Sequence, residues 1–119
     1  MGRLLVQVTH GPESPTRAAL AVLLARTAAD AGHEVKVFFV GDAVQLLRAE
    51  VIDRLGGLGT GSLADSFAGM RSNDVVVYAS RLSSEARGLS AEDLPEDTRL
   101  ALPQDLVELV FWADRTVTY

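Results

Sequence analysis

The chain of 119 residues contains no cysteine, and that one absence excludes more chemistry than any other feature of the sequence. Without a thiol there is no disulfide, no thiolate metal site, no cysteine nucleophile and no persulfide. Basic residues are also outnumbered. Eleven Lys and Arg stand against sixteen Asp and Glu, giving a net charge of −5, and the basic residues are scattered singly rather than forming a stripe. Phosphate-backbone binding needs the opposite balance, so no nucleic-acid partner is expected. Long apolar runs are missing as well: stretches such as Val37 to Val40 and Val75 to Val77 fall far short of the ~20 residues that span a bilayer. No membrane partner is expected. Met1-Gly2-Arg3-Leu4 enters a strand pattern with no signal-peptide organisation, so the expected location is cytoplasmic.

What is present is ordinary globular composition, with 48% apolar and 23% charged residues. At this length a single domain covering 1–119 is expected, burying roughly two-thirds of its unfolded surface around one core. Leu4-Leu5-Val6-Gln7-Val8-Thr9 is a short, mostly apolar run that suits a strand covered on both faces. Gly11 and Pro12 end it, and Ser14-Pro15 has the pattern of a helix N-cap followed by the first helical residue. Leu20, Leu23, Leu24, Ala28 and Ala31 recur at helical steps and predict the buried stripe, with Gly32 as the stop. Glu34 to Val40 reads as a second buried strand. Strand, helix and strand in this order make a βαβ unit with parallel strands and a right-handed crossover.

Beyond Gly41, Asp42 to Leu47 reads as a short helix capped by Asp42, extensible through Arg48 to Arg54. Gly56 to Gly61 is a glycine-rich connector. It follows a helix pattern rather than a strand, lacks the Walker lysine, and does not match the dinucleotide spacing, which argues against a phosphate cradle. Ser62 caps a helix carrying Leu63, Phe67 and Met70. Asp74 to Ala79 is the third strand, with the highest β-branched content of any segment. Ser83 to Arg87 forms a turn or two of helix closed by Gly88, and Thr98 to Ala101 is a weak fourth strand. Leu106, Leu109, Val110 and Ala113 mark a helix starting near Pro103, and Arg115 to Tyr119 is a closing strand. The fold class is α/β, an open parallel sheet between helical layers.

Ligands of such sheets sit at the carboxyl ends of the strands near the switch in strand order. His10, Gly41-Asp42 and Ser80 fall there. Were the order 2-1-3, as in flavodoxin-like sheets, His10 would stand between Asp42 and Ser80, in the sequence a nucleophile, base and orienter require. The plainer readings are an N-cap for Asp42 and for Ser80 and loop hydrogen bonding for His10; Ser80 also lacks the Gly-x-Ser-x-Gly elbow. Thr16 and Arg17 lie in a first helical turn, whose free N–H groups and dipole favour an anion. His33, beside a helix stop, is read as solvent-facing. Neither histidine has a ligand-spaced partner, so no metal or cofactor is expected. Trp112 and Tyr119 are read as core or subunit packing.

Taken in order, Leu5-Val6-Gln7-Val8-Thr9, Gly11-Pro12-Glu13-x-Pro15-Thr16-Arg17, Ala31-Gly32-His33-Glu34-Val35, Val40-Gly41-Asp42-Ala43-Val44, Ala86-Arg87-Gly88-Leu89 and Ala113-Asp114-Arg115-Thr116-Val117-Thr118 resemble the DsrE/DsrF-like group of sulfur-relay proteins over nearly the whole chain. The resemblance implies a three-layer α/β/α fold with a five-stranded, mainly parallel sheet, assembled as homotrimers, hexamers or heteromers with other DsrE-family proteins. Members that carry sulfur do so on a cysteine just after the third strand, seven residues before an Arg-Gly pair. Counting back from Arg87-Gly88 puts Ser80 there. Serine ionises far above neutral pH and holds no persulfide. The implied role is therefore a self-associating domain that transfers no sulfur and binds a small molecule or partner protein at the carboxyl edge, with His10, Thr16, Arg17, Asp42, Ser80 and Arg87 as candidates. Two other readings stay open: a scaffold subunit of a heteromeric sulfur-relay complex, and a small hydrolase or transferase using Ser80, His10 and Asp42.

Overall fold

A computed structural model describes all residues, 1–119. The elements are β1 (Arg3–Val8), α1 (Pro15–Asp30), β2 (Glu34–Phe39), a 3₁₀ segment (Gly41–Leu47), α2 (Ala49–Arg54), α3 (Leu63–Ser72), β3 (Val76–Ser80), α4 (Arg81–Ala86), a 3₁₀ turn (Ala91–Asp93), β4 (Arg99–Ala101), α5 (Pro103–Trp112) and β5 (Arg115–Thr118). The five strands form one sheet in the order β4-β3-β2-β1-β5. Every pairing is parallel.

That order follows from which face each connection covers. Val6, Val8, Val37, Phe39 and Ala79 point into the main core with Ala21, Val22 and Ala25 of α1, Leu63 and Met70 of α3, and Leu89 and Leu94 beyond α4. Right-handed crossovers over this face carry β2, β3 and β4 successively to one side of β1. Leu5, Phe38 and Ala101 point the other way and meet Leu109 of α5. A crossover of the same hand on the opposite face moves the chain in the opposite direction, so α5 delivers β5 to the far side of β1.

Three sequence expectations change. In α1 the buried residues are Ala18, Ala19, Ala21, Val22, Ala25 and Ala29, whereas Leu20 is 41% exposed. The helix is apolar nearly all round, and its alanine side lets it lie close to the sheet while the leucines fall to the flanks. In α5, Leu106, Leu109 and Ala113 pack inward, but Val110 stays largely exposed. Residues 41–47 form a 3₁₀ segment entered from Val40 with no side-chain cap, so Asp42 is not an N-cap.

Fully buried Phe38, Phe39, Leu5, Leu46, Leu47 and Leu63 anchor the two faces, each worth about 1.5–3 kcal/mol of transfer free energy. No helix of the structure is long and apolar enough to cross a membrane.

Candidate functional site

At the carboxyl edge, β1 is the strand where the order reverses: α1 leads from it over one face to β2 on one side, and α5 brings the chain from β4 over the other face to β5 on the other side. This is the switch point where ligands of open α/β sheets bind. Here the Thr9 hydroxyl donates to the Tyr119 carbonyl oxygen at 2.7 Å, and the Thr9 backbone N–H donates to the same oxygen at 2.7 Å. Thr9 Oγ1 also lies 3.1 Å from His10 Nδ1. A hydroxyl has one hydrogen, and Tyr119 receives it, so Thr9 accepts from Nδ1–H. The other ring nitrogen, Nε2, is then the acceptor for Arg17 Nη1 at 3.1 Å. Both histidine nitrogens are occupied. His10 seats Arg17 and is not an unengaged base.

One strand over, Asp42 Oδ1 accepts from Arg87 Nη2 at 3.0 Å and from Nε at 3.3 Å. Arg87 Nη1 donates to the Ser83 carbonyl at 3.1 Å, and the Arg87 carbonyl accepts from Arg48 Nη2 at 3.2 Å. On the next strand, Ser80 Oγ accepts from the Ser83 N–H at 3.1 Å and caps α4. Ser83 Oγ in turn accepts from the Gly41 N–H at 2.8 Å. Ser83 thus joins the ends of β2 and β3 and the Arg87 side chain, a role that sequence reading missed because it depends on two loops meeting. A serine at the end of a strand and ahead of a helical turn did suggest the cap itself.

The six candidates therefore resolve into separate groups. His10 pairs with Arg17, Asp42 with Arg87, and Ser80 with the backbone of Ser83. Thr16 belongs to none of them; its Oγ1 accepts from the Leu58 N–H at 3.2 Å and docks the glycine-rich connector on α1. Gly57 must be glycine there, because a Cβ would collide with Thr16 Cα and Thr60. The 2-1-3 order is not formed: β2, not β1, is the middle strand of the three. Ser80 and His10 stand about two strand spacings apart, roughly 10 Å, with Asp42 just beyond the end of the strand between them. No hydrogen bond links any two of Ser80, His10 and Asp42, and the hydroxyl has no base to take its proton.

Two further details complete the rim. Glu13 folds back so that its carboxylate oxygens accept from the Gly11 N–H at 2.9 and 3.1 Å. Gly11 is buried with its Cα against the Asp42 carbonyl, where a Cβ would overlap. This close approach seals the β1 and β2 loops against each other. No group of three or more His, Asp or Glu side chains is placed to hold a metal. At the opposite edge, exposed His33 Nδ1 accepts from the Gly2 N–H at 2.9 Å.

The model of the DsrE/DsrF-like family matches residues 2–119. The chain belongs to this family. It is similar in structure to the YchN protein from E. coli, with a TM-score of 0.82 at 18% identity and full coverage of both chains. It is also similar to MTH1491 from Methanobacterium thermoautotrophicum, described as a protein of unknown function, with a TM-score of 0.73 at 15% identity and full coverage of both. At these identities the likeness speaks for the fold. No curated protein sequence matches it significantly. This DsrE/DsrF-like chain has the family's three-layer parallel architecture and carries serine at the end of the third strand.

Proposed function

We propose that this chain is a non-catalytic binding domain of the DsrE/DsrF-like family, which engages a small anionic ligand at the carboxyl edge of its sheet and does not itself transfer sulfur. The observation that carries the reading is the state of residue 80. Its side chain is a hydroxyl, 9% exposed and spent on capping α4, where a sulfur carrier needs an ionisable and accessible thiol.

The ligand class rests on charge. Arg87 is paired with the Asp42 carboxylate, whereas Arg17 contacts the His10 ring and forms no ion pair with a carboxylate. Arg17 is exposed at the start of the sixteen-residue α1, so its full positive charge adds to the helix dipole at the switch point.

Two measurements test this. Exposure of the protein to a small-molecule persulfide donor is expected to leave its intact mass unchanged; gain of one sulfur atom overturns the non-carrier assignment. Titration with inorganic phosphate, followed by amide chemical shifts, is expected to perturb the first turn of α1 and His10 in the wild type and not in Arg17→Gln. Shifts that persist in Arg17→Gln, or none in the wild type, overturn the ligand assignment.

A further inference from the structure

The amino edge of the sheet, opposite the candidate site, carries a cleft of its own. It opens between the end of α3, the start of β3 and the loop that leads into β4, encloses about 250 Å³, and is floored by Phe67, Met70, Val75 and Val77. Asp74 and Asp97 both line it. They are the two residues other than glycine with positive φ, at +57° and +71°, and each stands two residues ahead of its strand, Asp74 of β3 and Asp97 of β4. Left-handed residues of this kind are uncommon and concentrate at ligand clamps. Thr98, next to Asp97, lines the cleft as well, and its Oγ1 is shut off from solvent with no hydrogen-bond partner. A buried hydroxyl without a partner calls for a physical reason, and here the strained residue and the idle hydroxyl belong to the same short loop.

The charge at this cleft is one-sided. Asp74, Glu96 and Asp97 are exposed and none belongs to the four ion pairs of the chain. Arg71 is the one cation that faces them. The other arginine of the lining, Arg99, directs its guanidinium to the Tyr78 ring at 5.8 Å, on the α5 side of the sheet. The negative end of the ten-residue α3, which closes at Ser72, adds to the carboxylates. Three carboxylates against one guanidinium, set over an apolar floor, complement a molecule with an apolar body and a cationic head.

We propose that this cleft is a second binding site, which takes a small organic cation: a primary ammonium on an aromatic or aliphatic body. The body lies on Phe67, Met70, Val75 and Val77. The ammonium sits among Asp74, Glu96 and Asp97 and, as the loop of residues 95–98 gives way, donates to Thr98 Oγ1, so that binding supplies the partner the hydroxyl lacks. The same hydroxyl therefore burdens the free protein and serves the complex.

Titration of the full chain with phenethylammonium, followed by amide chemical shifts, tests this. Shifts are expected in residues 67–77 and 95–99 and not at His10 or the first turn of α1, and the neutral 2-phenylethanol is expected to bind about tenfold more weakly. Asp74→Asn and Asp97→Asn keep a residue type that tolerates the left-handed region while removing the charge. Each is expected to weaken phenethylammonium binding about threefold. Thr98→Val keeps the side-chain shape and removes the hydroxyl; it is expected to raise the melting temperature of the free protein and to lower its affinity for the amine, a combination that a purely structural role would not give. The proposal is overturned if phenethylammonium shifts no residue of the cleft, if the alcohol binds as well as the amine, or if the Asn variants and Thr98→Val bind as tightly as the wild type.

Discussion

Arg87 donates twice to one oxygen of Asp42, through Nη2 at 3.0 Å and Nε at 3.3 Å, across 45 residues of chain. Asp42 follows β2 and Arg87 follows α4, so the pair ties together two neighbouring strand ends at the carboxyl edge. Its energetic worth is bounded by exposure, because the side chains are 27% and 60% exposed for Arg87 and Asp42 respectively. A double-mutant cycle of Asp42→Ala and Arg87→Ala in denaturant is expected to give a coupling of about 0.5–1 kcal/mol that shrinks in high salt. A salt-independent coupling of several kcal/mol would contradict this picture of a solvent-screened pair.

Gly11 is expected to resist substitution. A Cβ there meets the carbonyl carbon and oxygen of Asp42, and backbone atoms yield less readily than a flexible side-chain tip. Gly11→Ala should cost about 1–3 kcal/mol, read as a lowered urea midpoint with unchanged slope. A midpoint equal to that of the wild type would mean that the loops after β1 and β2 part easily.

Ser84 gives the opposite expectation. Its side chain is fully buried and its hydroxyl has no hydrogen-bond partner, which carries a desolvation cost of about 1–3 kcal/mol. Ser84→Ala removes the orphaned oxygen while keeping the rest of the side chain. The variant should be more stable by about 1 kcal/mol, with a raised melting temperature. Destabilisation would show that the hydroxyl does find a partner in solution.

Asp114 governs part of the acid limb. The Arg3 backbone N–H, donating to Oδ2 at 2.9 Å, holds its carboxyl below the usual 3.8; slight burial opposes this, and the Arg3 and Arg115 charges assist. Because the folded-state value is the lower one, the stabilisation is fully present above 3.8 and is lost as pH falls through the folded-state value. The melting temperature of Asp114→Asn should therefore lie below that of the wild type at neutral pH, and the gap should close at strongly acid pH. Asp93, lowered by the Ser90 N–H and hydroxyl, should act in the same window. A gap that widens on acidification would reverse the sign argued here.

The fold was open to sequence reading because its signals are local. Val35 to Phe39 and Val75 to Ala79 announce strands by composition, and Gly32 announces the end of α1 by residue type, the structure giving it a φ of +92°. The buried side of α1 was not legible, since Leu20 and Ala18 are equally apolar and only contact with the sheet chooses between them. Within the candidate site, the Ser80 cap was legible from a serine standing just ahead of a helical turn. The Arg17 partnership with His10 and the Arg87 partnership with Asp42 were not.

The sequence alone determined the parallel α/β fold of this family and that no thiol stands at the end of the third strand, since periodicity and residue identity are properties of the chain itself. Only the tertiary structure decided that β2 lies between β1 and β3 and that His10 is occupied on both nitrogens. Those facts depend on which face each crossover helix takes and on which loop then arrives beside a given polar group, and neither is encoded in any single segment.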